Sequence, residues 1–520
     1  MTQERKISVT LAILLIVSAG VRAFLAWFTE LGYDEVYYWT YAKYPDLSHF
    51  DHPPMVGWVI RFFSLDLLLQ QEFFLRLGAV VIGTLNTWLI FRIGKTIRND
   101  LTGLYAALMY TASFYASVVC GLFILPDAPQ SLVWLLTLLF LVKALPDREL
   151  LKESRWFILF AGVTTGLALL SKYHAVFLIT GTFAFILFYN RRWFTAKETW
   201  FALVTALLLF LPVLIWNYRN DFISFAFHEG RMLPKKELGL TPEFFLLELL
   251  GEFGYNNPVN FILVIASFVA IGKGKEFIPR DYRNLILWIH LPMLIIFLAV
   301  SMFRPTLPHW TGPAYIGFLL LAAAWLEDKL RHKQKFRLIP YSMRAALLIT
   351  ATVLVIGTGQ VKYGWFSITR LGITDISLDM YGWRQVGEKV PPVLAQMEKK
   401  GLMQTNSPLF TFRWFPAANF DYYVCEKTGR KVYAVGYLPR IHKYYWINQL
   451  KGDLPKGSDA WFVGFSDDYH NAEGLYVWMF DSISGPDTVN IMRGGKIARQ
   501  AYIFRLKGLK EDLKFPIIEP

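Results

Sequence analysis

The sequence predicts a mainly α polytopic membrane protein of about eleven transmembrane helices, followed by a C-terminal soluble α/β domain. Three observations carry this expectation. Of 520 residues, 54% are hydrophobic and only 18% charged, which is too apolar for a soluble chain of this length. The apolar residues come in long blocks, as helices that cross a bilayer require. After Val361 the texture changes: charge rises, and short alternating runs such as Ala460–Phe465 and Leu475–Phe480 are punctuated by Gly, Asp and Pro. Such runs read as strands of a small soluble domain.

At about twenty residues per crossing, eleven apolar segments lie near residues 7–28, 76–93, 101–120, 129–145, 156–171, 174–189, 198–216, 258–272, 285–302, 312–326 and 342–360. The first follows Arg5-Lys6 and has the look of a secretory leader. It lacks a clear small-residue cleavage site, so it reads as a retained anchor. With the N-terminus in the cytoplasm, the inside loops collect Arg92, Lys95, Arg98, Lys143, Arg148, Arg191, Arg192, Lys273, Lys275, Lys329, Arg331 and Lys333. The outside loops hold fewer: Lys43, Arg61, Lys172, Arg219, Arg231, Lys235, Lys236 and Arg304. An odd number of spans then puts the C-terminus outside. The division is a membrane domain at 1–360, with an outer catalytic loop at 29–75, and a periplasmic soluble domain at 361–520. The net charge of +13 reflects this loop bias and implies no nucleic-acid partner. Cys120 and Cys425 lie far apart and make no disulfide framework. No Asn begins an Asn-x-Ser/Thr sequon, which favours a bacterial periplasm over an ER lumen.

Every polar cluster with chemical potential falls on the outer side of that arrangement. The loop after the first segment carries Asp34-Glu35 and Asp51-His52, the latter stiffened by Pro53-Pro54, among Tyr33, Tyr38 and Trp39. Carboxylates this close to hydrocarbon are costly and need a reason. One there can act as general base on an acceptor hydroxyl, while nearby cations take up the charge of a phosphate leaving group. The plain alternative is an interfacial loop with an aromatic belt. Lys172, in the short connection Ser171-Lys172-Tyr173-His174, is either a phosphate ligand or a snorkelling lysine. Arg22, inside the first segment, either pairs with a loop carboxylate or snorkels. Arg219 and Arg231, and the stretch Arg304–Trp310, lie on the same side. His49, Asp51 and His52 have ligand chemistry for a divalent metal, although the signal is weak. In the tail, Phe412-Arg413-Trp414, Tyr422-Tyr423 and Tyr444-Tyr445-Trp446 either grip a sugar or pack a core. P-loop, GxGxxG, HExxH and CxxC patterns do not occur.

These motifs resemble the GT-C membrane glycosyltransferases, and within them the bacterial relatives of aminoarabinose (lipid A) transferases and protein O-mannosyltransferases. The carriers in chain order are Tyr33-Asp34-Glu35 with Tyr38-Trp39, then Phe50-Asp51-His52-Pro53-Pro54, Arg76, Pro126-Asp127 and Gly166–Tyr173. Leu211–Arg231 and Pro308–Tyr315 follow. The resemblance implies inverting transfer of a sugar from a polyprenyl-phosphate donor, undecaprenyl phosphate in bacteria, to lipid A, another glycolipid or a protein. It implies Asp34, with Glu35 and Asp51, as catalytic carboxylates. Lys172, Arg219, Arg231 and His52 would meet the donor phosphate, and Tyr33, Tyr38, His309 and Trp310 the substrate. Aminoarabinose-transferase relatives carry a lysine where this chain has His52, as the mannosyltransferases do, so the donor sugar stays open. A lipid or sugar transporter is the rival from another class. Transporters place polarity near the bilayer midplane and show inverted repeats, whereas polarity here gathers at one face.

Overall fold

The computed structural model describes residues 2–232, 239–335, 337–367 and 375–515. Lys235 and Lys236, counted above among the outer-loop cations, lie outside the described residues. The chain divides into two compact units, Met1–Trp27 with Asp46–Leu354, and Phe28–Pro45 with Val355–Pro520.

In the first unit a helix lies over each of the eleven apolar segments. Among the described residues six helices are long and apolar enough to cross a membrane: Gln3–Phe28, Glu72–Ile97, Asp127–Ala144, Lys197–Arg219, Arg280–Ser301 and Tyr341–Tyr363. Pro242–Tyr255 and Pro258–Gly272 reach that standard only together, bent by 107°. The bend follows from the sequence. Asn257 takes a left-handed φ of 68° and its side chain accepts the Val259 N–H, while Pro258 has no N–H with which to continue the preceding helix. The remaining apolar segments fall short for local reasons. Asp100–Ala112 gives way to a π-helical turn at Tyr115–Val119, and Lys152–Leu169 and Gly312–His332 carry charge in their terminal turns. The chain is a multi-pass membrane protein.

Small residues set the closest helix approaches. A Cβ on Gly94 would stand 2.7 Å from the Gly103 Cα, and one on Gly181 2.5 Å from the Ile289 Cα. Close backbone contact of this kind is how helices associate where lipid removes the hydrophobic driving force. Arg22 does neither thing expected of it. It is buried and donates to the π-helical turn, from Nε to the Ser117 carbonyl at 3.3 Å and from a terminal nitrogen to Ser117 Oγ at 3.4 Å. An arginine inside a span finds its acceptors in backbone that an ordinary helix would have sealed.

The second unit is built on a five-stranded sheet. Its strands are β1 (Leu409–Thr411), β2 (Val432–Ala434), β3 (Ala460–Phe465), β4 (Phe480–Arg493) and β5 (Lys496–Leu509), in the order β2-β1-β3-β5-β4. β2, β1 and β3 run parallel, and β5 pairs antiparallel with β3 and β4. The expected strand Leu475–Phe480 is instead the end of helix Ala472–Tyr476 and a turn into β4. Asn471 caps that helix by accepting the Glu473 N–H at 3.1 Å, a local signal that outweighs weak alternation. The aromatic pieces Phe412, Tyr422, Tyr423 and Tyr444 are buried, so core packing is their role. Both cysteines are free and buried.

Candidate active site

The stretch read as an outer loop at 29–75 contains two helices, Tyr33–Lys43 and Met55–Phe63. They belong to different units. Gly32 is the extended N-cap of the first helix, and Glu35 Oε2 accepts its N–H at 2.9 Å, half of a capping box. Glu35 is thereby buried, while Asp34 in the same first turn is exposed. Helix phase thus separates the acid pair: Glu35 holds the helix start and Asp34 faces outward.

Tyr33 stacks on Phe415 with centroids 3.6 Å apart and meets Trp383 edge-on at 6.1 Å. Its backbone N–H donates to Asp379 Oδ1 at 2.6 Å. Burial, reinforced by the nearby Asp34 and Glu35, pushes the Asp379 carboxyl up to about 7 against the opposing pull of that N–H and of Arg499. Arg499 lies between the rings of Trp383 and Phe465, 4.6 Å from each centroid. Tyr38, expected against substrate, is buried edge-on to Tyr37 and Tyr41.

The first unit holds the remaining candidates. Lys172 donates to both oxygens of Asp127, at 2.9 and 3.0 Å, and Tyr115 donates to Asp127 Oδ1 at 3.0 Å. Lysine and aspartate are both buried, so the partner of Lys172 is a carboxylate 45 residues away. Two of its three N–H bonds go to that group.

Around this pair the segment carrying Asp51 and His52 is clamped by backbone acceptors. Ser224 Oγ donates to the His49 carbonyl at 3.0 Å, and His228 Nε2 to the Asp51 carbonyl at 2.7 Å. The Met55 N–H donates to the Leu170 carbonyl. The His52 and His228 rings lie 5.9 Å apart, and Tyr173 meets His228 at 5.1 Å.

Burial first, and then neighbouring cationic groups, hold His52 and His309 below the usual imidazole range, His309 at about 4. Burial does the same to His228. These imidazoles are neutral near pH 7. The exposed positive charge beside these histidines comes from Arg231; Arg219 is an exposed cation at the end of helix Lys197–Arg219. Arg231 lies 5.1 Å from the Trp310 ring and 5.5 Å from that of Phe227, and Trp310 rests on Phe297. Among the described residues no group of three or more His, Cys, Asp or Glu is disposed to hold a metal.

Several residues of this cluster escaped the sequence reading. Asp127 was visible as Pro126-Asp127 but had no role, and His228 lay inside a quoted motif unmarked. Glu248 and Glu252 stand four apart within the largely apolar helix Pro242–Tyr255, a pattern that flags function. They are buried, accepting from Thr306 and Tyr315, each at 2.7 Å. Asp379 had no local signal at all.

Fold and cluster define a class before any relative does: a multi-pass membrane protein carrying a small mixed sheet. The comparisons agree. A family model described as dolichyl-phosphate-mannose-protein mannosyltransferase matches residues 51–216. The lipid A galacturonosyltransferase RgtD of Rhizobium johnstonii is 23% identical over 305 residues, 57% of this chain and 61% of the relative. The match therefore spans under two thirds of that relative's length. The structure of ArnT from Cupriavidus metallidurans in the apo state superposes with a TM-score of 0.59 at 15% identity, over 95% of this chain and 98% of that one. The same protein bound to undecaprenyl phosphate gives 0.57 at 15% identity, over 95% and 97%. Both likenesses show the fold.

Proposed function

We propose that the protein is an inverting glycosyltransferase. It moves a sugar from a polyprenyl-phosphate donor to a cell-envelope acceptor (lipid A, another glycolipid or a protein) at the periplasmic face of a bacterial inner membrane. The observation that carries the reading is the likeness to ArnT over nearly the whole chain, one ArnT structure holding undecaprenyl phosphate. The named relatives support it, since one acts on lipid A and the family model concerns a lipid-phosphate sugar donor. The lysine and arginine bias of the loops supports the orientation.

In the reaction, an acceptor hydroxyl oxygen attacks the anomeric carbon from the face opposite the phosphate. The bond from that carbon to the phosphate oxygen breaks, and the lipid phosphate leaves with the electron pair. The hydroxyl proton passes to a carboxylate, which we assign to Asp34, exposed in the first turn of its helix. Arg219 and Arg231 supply charge for the departing phosphate, His52 a neutral hydrogen-bonding group, and Lys172 its third N–H. His309 and Trp310 are assigned to the substrate beside Arg231. Burial of His49 and the carbonyl clamp on Asp51 give those two a structural part. The test is a purified assay with undecaprenyl phosphate carrying aminoarabinose, galacturonate or mannose. Release of sugar-free undecaprenyl phosphate that depends on acceptor supports the reading. Absence of release with every donor sugar, in folded protein, overturns it.

A further inference from the structure

The N-termini of two helices in the second unit cap each other across the chain. Glu30, three residues before helix Tyr33–Lys43, accepts the N–H groups of Trp383 and Arg384 at 2.6 and 3.1 Å, at the start of helix Trp383–Lys399. Asp379, four residues before Trp383, accepts the N–H of Tyr33 at 2.6 Å, at the start of helix Tyr33–Lys43. Each carboxylate thus meets the positive end of the helix that follows the other. The Tyr33 ring stacks on Phe415 and meets Trp383, the first residue of the partner helix, edge-on. Further along the helix, Lys443 Nζ donates to the Thr40 and Tyr44 carbonyls at 2.9 and 2.5 Å. Both ends of the helix are therefore tied to the sheet-bearing tail.

We propose that Asp379 is a positioning residue for Asp34: by accepting the Tyr33 N–H it holds the helical turn from which Asp34 projects. This rests on Asp34 being the catalytic carboxylate. Asp379 touches the backbone of the turn and takes no part in bond making. A displacement of about 1 Å in a reacting group costs on the order of a hundredfold in rate, so a frayed first turn would be felt in the chemical step.

Full-length Asp379→Ala and Asp379→Asn are compared with the unsubstituted chain by hydrogen exchange and by transfer, using whichever of the three undecaprenyl-phosphate sugars the unsubstituted chain turns over. We expect Asp379→Ala to speed amide exchange in Tyr33–Tyr37. It should lower kcat by about tenfold or more while the KM for donor stays within about twofold. Asp379→Asn keeps an acceptor oxygen and should restore both the exchange protection and most of kcat. Unchanged kcat in Asp379→Ala, or an Asn variant no better than Ala, overturns the proposal. Asp34→Asn separates the two failures. If that variant is inactive while Asp379→Ala is normal, only the positioning role falls. If Asp34→Asn is fully active, the catalytic assignment falls and takes the positioning role with it.

Discussion

A single carboxyl shows how environment divides work among like residues. Asp379 titrates near 7 in the folded chain because burial and the neighbouring Asp34 and Glu35 disfavour its charge. Its unfolded value is about 3.9. Between those values the native state binds more protons than the unfolded one, so this group makes stability fall as pH rises. The depressed histidines His52, His228 and His309 act the other way, losing stability as pH drops below about 6.5. The difference between the unsubstituted chain and Asp379→Asn isolates the aspartate. Its expected sign is a relative gain in melting temperature for the variant from pH 4 to 7, level above that. At Lys172 the expectation is different. Lys172→Ala leaves Asp127 buried without its cation, a loss of roughly 3–5 kcal/mol. The paired change Lys172→Met with Asp127→Leu should recover most of that stability. If Lys172 also meets the donor phosphate, the recovered double variant will still bind undecaprenyl phosphate more weakly, measurable by isothermal titration in detergent.

At the scale of elements, helix Tyr33–Lys43 is the case in point. Its eleven residues are too few for a stable isolated helix, and five of them are aromatic. It persists because Glu35 and Asp379 satisfy its first N–H groups and because its rings pack on the tail. Glu30→Ala removes the cap of the partner helix Trp383–Lys399, with an expected cost of about 1 kcal/mol. Faster hydrogen exchange in Trp383–Gly387, with exchange in the strands β3 and β5 unchanged, is the result that checks it. Had Glu30 been a surface charge with no partner, the substitution would be silent.

For the whole molecule, the testable quantity is sidedness. Basic loops stay cytoplasmic, so Gln334, in the Lys- and Arg-rich connection before Tyr341–Tyr363, is expected inside, and Lys456 in the tail outside. In a background lacking Cys120 and Cys425, a reagent that cannot cross the membrane should label Lys456→Cys in intact cells and spare Gln334→Cys. The reverse pattern would invert the protein and remove the periplasmic placement of Asp34.

The sequence by itself determined the features that local pattern can encode. Apolar blocks marked all eleven helical segments, because water excludes such runs whatever they pack against, although only six of the described helices are long and apolar enough to cross a bilayer on their own. The order of its short motifs marked Asp34, Asp51, Lys172 and Arg231. Only tertiary structure decided how those residues are divided. Helix phase at Gly32 turned Glu35 inward and Asp34 outward. Lys172 met Asp127 45 residues away, and Tyr33 met Asp379 346 residues away. Arg22 found its acceptors in a π-helical turn that no periodicity announces. Hydrogen bonds and ion pairs are short-range in space and indifferent to separation along the chain, so their partners become legible only once the chain is folded.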